Sequence, residues 1–73
     1  MNPLNDLSQR YPRLAEILEQ LSAAKGMDRH EQYVRACGFL DGLCAAGVFT
    51  PSELTALNVS LCNVLIGLVA EGV

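Results

Sequence analysis

Few side chains in this sequence could do covalent chemistry: one histidine, His30, three cysteines, Cys37, Cys44 and Cys62, and a carboxylate pair, Glu16 and Glu19. A nucleophilic thiol needs a base within hydrogen-bond reach. His30 stands near a predicted helix start, whereas the cysteines fall on later, apolar helix faces. No Cys–His pair is expected, and the thiols read as free, buried and structural. Glu16 and Glu19 share a helix face but read as solvated charges rather than as a general acid and base. A lone histidine without CxxC or HxxxH spacing cannot build a four-ligand metal site. No glycine-rich phosphate loop follows a strand, and there is no strand signal at all. The chain therefore reads as a non-enzyme, with no catalytic, cofactor-binding or metal residues.

The cationic groups allow one sharper hypothesis. Arg10 and Arg13 flank Tyr11 and Pro12, while Lys25, Arg29 and His30 cluster at a later turn and Arg35 follows on the next helix. These six are the candidate contacts for an anion or for a partner protein. If the first two long helices are antiparallel, the two groups lie at opposite ends of the first, and a single anion pocket would need a second copy to unite them. Solvated charges and salt bridges are the default reading. The net charge is −3; the five Lys and Arg are matched by Asp6, Glu16, Glu19, Asp28 and Glu31 in the same half, and the other half carries only Asp41, Glu53 and Glu71. A nucleic-acid binder draws its affinity largely from neutralising phosphates, so this balance disfavours one.

Three helical segments must position these groups. Leu4, Leu7, Tyr11, Leu14, Leu18 and Leu21 recur at three- and four-residue intervals and form one stripe, broadened by Ile17. Pro12 interrupts it, because proline cannot donate to the carbonyl four residues back. The first segment is predicted over 3–10 and 12–25, ending at Lys25 and Gly26. The second is predicted over 28–46, with Asp28 and Glu31 as a carboxylate capping box and Glu31–Arg35 as an i,i+4 pair. Tyr33, Cys37, Leu40, Cys44 and Gly47 run along one face, flanked by Ala36 and Leu43. Gly38, Gly42 and Ala46 form a stripe of small residues, which predicts a close helix crossing or else a groove for a partner helix. Gly47 suits a left-handed C′ position with Val48 packing back, and Thr50, Pro51 and Glu53 spell a capping box with proline in its preferred slot. Phe49 and Leu54 are spaced as a hydrophobic staple. The third helix is predicted over 51–70.

That last helix carries the strongest functional information. Leu54, Leu57, Leu61, Val64, Leu65 and Leu68 make one apolar face, and at 100° per residue Val59, Cys62, Ile66 and Val69 extend it well past half the circumference. Glu53, Ser60, Asn63, Gly67 and Glu71 remain for solvent. One face suffices to pack on two neighbours, so the excess needs another cover. The charge-free run Leu54–Ala70 has 17 residues and includes Thr55, Asn58, Ser60 and Asn63. A spanning helix wants about 20 predominantly apolar residues, which disfavours a membrane. Pairing with a second copy is the expected cover, through Asn58, Val59, Cys62, Leu65, Ile66 and Val69, with Asn58 either fixing the register or simply satisfied at the interface edge.

The stretch Leu40-x-x-Leu43-x-x-x-Gly47-x-Phe49-Thr50-x-x-Glu53-Leu54 resembles the short helical hairpins of the SHOCT type, over residues 40–66, about a third of the chain. The resemblance implies an oligomerisation element. Two departures stand out: the basic residues typical of the second SHOCT helix are missing here, and this chain adds an N-terminal helix.

A chain of 73 residues makes one domain, 1–73, and one of this size buries only about 60% of its unfolded surface. Disulfides, metals or oligomers commonly supply the missing stability. An odd number of cysteines in apolar runs, after a polar N-terminus (Met1, Asn2, Pro3, Leu4, Asn5, Asp6), reads as a reducing cytoplasm without a signal peptide. Four arginines to one lysine, with abundant Ala, Leu and Gly, hint at a GC-rich bacterial or phage source. The expectation is an all-α, three-helix small domain, a helical hairpin plus an N-terminal helix, forming a homodimer. Its expected role is a regulator or inhibitor of a larger, unidentified protein, of the kind phages and plasmids direct at host machinery. The alternatives are a small anionic ligand or nucleotide binder and a helical DNA-binding regulator.

Overall fold

The computed structural model describes residues 3–71; Met1 and Asn2 of the polar N-terminus, and Gly72 and Val73, lie outside the described residues. The fold is all-helical, with no strand among the described residues. There are four helices rather than three: α1 (Pro3–Arg10), α2 (Pro12–Ala23), α3 (Met27–Ala45) and α4 (Pro51–Ala70). Pro12 causes the extra division. It forces Tyr11 into an extended conformation (φ −126°, ψ 94°), and α2 restarts with proline at its first position. The Tyr11 amide still donates to the Leu7 carbonyl at 3.0 Å, so α1 is closed before the chain turns.

α2 packs most extensively on α3, α3 packs on α4, and α1 lies against both α2 and α4. The predicted leucine stripe meets at the centre: Leu4, Leu7, Leu14, Ile17 and Leu21 are buried with Ala36 and Leu40 of α3 and Leu57 and Leu61 of α4. Tyr11 joins the edge of this core, its ring edge-on to Phe39 at 6.4 Å between centroids.

The turn from α3 to α4 follows its sequence. Gly47 takes φ +84°, the Gly47 amide donates to the Cys44 carbonyl and the Val48 amide to the Leu43 carbonyl, each at 3.0 Å, which together make a Schellman motif. Thr50 Oγ1 accepts from the Glu53 amide at 3.2 Å, and Glu53 Oε1 accepts from the Thr50 amide at 3.0 Å. Both halves of the capping box are present, with Pro51 opening the helix. Phe49 and Leu54, the expected staple, both pack against the core.

Four local expectations are corrected. α2 ends at Ala23, before Lys25, because Ala24 is extended (φ −77°, ψ 159°). α3 begins at Met27, because Gly26 at φ +61° starts the helix, its carbonyl accepting from the His30 amide at 3.3 Å. Asp28 therefore sits inside the first turn rather than at its cap, and no side chain caps α3. Among the described residues the one ion pair is Arg13–Glu16, at 2.9 Å, so Glu31 and Arg35 do not pair. Finally, Gly38 and Gly42 mark no close crossing: a Cβ built on either meets nothing within 4 Å, and both face solvent.

Candidate protein-interaction surface

The geometry of α4 follows from where its neighbours stop. Leu57 and Leu61 are buried against the core, and Leu54, Val64, Leu65 and Leu68 pack on its margin. Twenty residues at 1.5 Å each make a rod about 30 Å long. Its remaining arc has no neighbour. Val59, Ile66 and Val69 are 56%, 58% and 62% exposed, and Cys62 is exposed beside them. Four of the six residues assigned to self-association thus form one outward strip. Asn58 and Leu65 are half-buried at its edge towards α3. Asn58 Oδ1 is enclosed without a hydrogen-bond partner, as is Oε1 of Gln32 on α3; an unmet buried acceptor costs roughly 1–3 kcal/mol.

The strip adjoins a seam on α3. Burial, with Cys37 and Cys62 nearby, pushes the Tyr33 phenol above its ordinary value. Burial likewise raises the Cys37 thiol, against the lowering effect of its hydrogen bond with Tyr33. Raised thiols are poor nucleophiles. The cysteines are free; Cys37 and Cys44 are half-buried, whereas Cys62 is not buried as expected, because it lies on the arc of α4 that no other helix covers.

The cationic groups are dispersed. Arg10 is exposed at the end of α1 with its guanidinium 5.7 Å from the Tyr11 ring centroid, and Arg13 is held by Glu16. Lys25, Arg29 and His30 lie at the other end of α2, 12 residues or about 18 Å away. Lys25, His30 and Arg35 are exposed. Arg29 is not: it is 5% exposed, and its Nε donates to the Ala24 carbonyl at 3.0 Å. There it tethers the end of α2 to α3. One chain does not gather these groups into a single anion site.

Sequence reasoning missed two features. The burial of Arg29 has no periodic signal, because its acceptor is a carbonyl freed by the extended Ala24. A cleft of about 270 Å³ between α1, the α3–α4 turn and the start of α4 was also missed; it depends on how α1 lies across α4, which no local pattern specifies. Among the described residues no cluster of His, Cys, Asp or Glu could hold a metal ion. By length and composition α4 could cross a membrane. Thr55 Oγ1 donates back to the Pro51 carbonyl at 3.2 Å, but Asn63 is an exposed amide on the same helix, and lipid offers such a group no partner. No known family model matches the chain, and no significant match is found among curated proteins or solved structures.

Proposed function

We propose that this chain is a non-enzymatic interaction protein of the reducing cytoplasm, which pairs with a second copy through α4 and, as a homodimer, regulates or inhibits a larger protein. The observation that carries the reading is the charge-free outward strip Val59–Cys62–Ile66–Val69 on a helix already packed on its opposite side. Scattered exposed apolar residues are ordinary; a contiguous stripe along one helix marks an interaction surface. A self-complementary apolar strip also suits a twofold pairing, in which the same patch serves both copies.

Size constrains the geometry. The strip from Val59 to Val69 is about 15 Å long and one helix wide, roughly 150 Å², well short of the ~800 Å² per partner of a stable interface. The α3 seam at Tyr33 and Cys37 therefore joins it, and the open flank at Gly38 lets a partner backbone approach closely. The SHOCT resemblance, with its implied oligomerisation, agrees with this arrangement. Net charge −3 weighs against nucleic acid, and the 18 Å between the two cationic groups weighs against one bound nucleotide.

Sedimentation equilibrium at micromolar concentration tests the pairing. The wild-type chain is expected to sediment as a dimer, Cys62→Asp and Ile66→Asp as monomers, and Asn63→Asp as a dimer. Equal behaviour of all three variants would remove the case for this face.

A further inference from the structure

We propose that the cleft between α1 and the start of α4 receives an apolar side chain carried by a basic helical segment of the partner protein; the inference rests on the reading that the chain works by binding protein. The cleft encloses about 270 Å³. A cavity of about 150 Å³ already holds benzene, so one phenylalanine- or leucine-sized group fits. Its apolar wall is Leu7 of α1, Phe49 of the turn, and Ala56 and Leu57 of α4. Ala56 contributes only a methyl group to that wall.

Charge selects the occupant. The rim carries Asp6 and Glu53 against Arg10. The single ion pair among the described residues is Arg13–Glu16, so neither rim carboxylate is neutralised by a cation of those residues. Arg10 lies against the Tyr11 ring instead, and residues 36–73 contain no Lys or Arg at all. With Asp6 and Glu53 against one Arg10, and with Glu53 Oε1 accepting from the Thr50 amide and hydroxyl, the rim above the apolar floor carries a net charge of −1, which disfavours an anion and favours an apolar anchor flanked by Lys or Arg. An amphipathic helix presents its anchors in this manner, at i, i+3 or i+4, and i+7.

Nuclear magnetic resonance titration of the isotope-labelled chain tests the inference. The probes are two synthetic helical peptides with the same Phe and Leu anchors, one flanked by lysines and one by glutamates. The lysine peptide is expected to bind at least about tenfold more tightly than the glutamate peptide, with shifts centred on Phe49, Ala56 and Leu57, and to weaken as salt rises. Ala56→Phe, at an exposed helix position, fills the cleft and is expected to weaken binding about tenfold or more. Asp6→Lys, should the first variant fail to fold, is expected to narrow the preference between the peptides. Ile66→Asp, which disrupts the pairing surface, is expected to leave peptide binding intact. That result separates failure of the cleft from failure of the dimer, which sedimentation reads independently. Equal affinity for both peptides, indifference to Ala56→Phe with a retained fold, shifts centred on Val59 and Ile66, or no binding of either peptide would each overturn the proposal.

Discussion

Val59 and Ile66 stand two turns apart on α4, about 10.5 Å along its axis, and are exposed to 56% and 58% on the same side. Among the described residues neither belongs to the core or to the side chains packed on its margin, although the helix that carries them is anchored on its opposite side by the buried Leu57 and Leu61. Stability and exposure are thus supplied by different faces of one element. Substitutions on the outward face can alter association without dismantling the fold, and those elsewhere can do the reverse.

The Thr50–Glu53 capping box gives the simplest stability test. Thr50→Ala removes the acceptor for the Glu53 amide and is expected to cost about 1 kcal/mol. In a domain of this size that lowers Tm by roughly 4–8 °C. Thermal denaturation followed by circular dichroism measures it, and an unchanged Tm would contradict the assigned cap.

Arg29 is expected to behave as a structural residue and not as a surface contact. Arg29→Met keeps much of the side-chain volume but loses the charged hydrogen bond to the Ala24 carbonyl, at a cost of roughly 1.5–3 kcal/mol. Lysine lacks the guanidinium fork, so Arg29→Lys is expected to restore only part of the loss. Urea denaturation of the three chains decides the point. Wild-type stability in Arg29→Met would show that the tether contributes nothing.

Gly38 and Gly42 present the opposite sign. Each lies in a helix interior with open space where a Cβ would stand, so Gly38→Ala and Gly42→Ala are each expected to raise stability by about 0.5–1 kcal/mol. If the flank at Gly38 receives a partner backbone, Gly38→Ala also weakens association, which sedimentation detects separately. A loss of thermal stability in both variants would restore the close crossing that the small-residue stripe suggested.

Tyr33 and Cys37 set an alkaline limit. Burial raises both, so the folded chain holds these protons to higher pH than the unfolded chain does. Their contribution to stability is complete below the ordinary thiol value of 9.0 and phenol value of 10.0, and declines as pH rises above them towards the folded values. Denaturation curves at intervals from about pH 7 to about pH 11 are expected to be level and then to fall. Cys37→Ala is expected to delay the onset. Stability that increases through this range would contradict the assigned burial of both groups.

Much of the fold was legible where side chains act on nearby backbone. Thr50, Pro51 and Glu53 signalled a helix start, and Gly47 a stop, because a cap or a left-handed residue is satisfied within a few positions. The leucine stripe gave the core face of α1 and α2 for the same reason. The start of α3 was misplaced because Asp28 looks like a cap in sequence, whereas the positive φ of Gly26 sets the first turn one residue earlier. Gly38 and Gly42 were misread because periodicity says that small residues share a face but not what that face meets. The outward strip of α4 was legible as apolar excess, since two neighbouring helices cannot cover so wide an arc. The cleft beside Ala56 arises from the crossing of α1 over α4, a tertiary placement without a local signature.

The pairing of α4 with its copy is tested most directly by isotope-filtered nuclear Overhauser spectra on an equal mixture of labelled and unlabelled chain. The account expects intermolecular cross-peaks joining the methyl groups of Val59, Ile66 and Val69 in one copy to the same strip in the other, and their disappearance in Ile66→Asp. A dimer whose intermolecular contacts all lie elsewhere, or a chain that stays monomeric at millimolar concentration with those methyl groups in water, would contradict it.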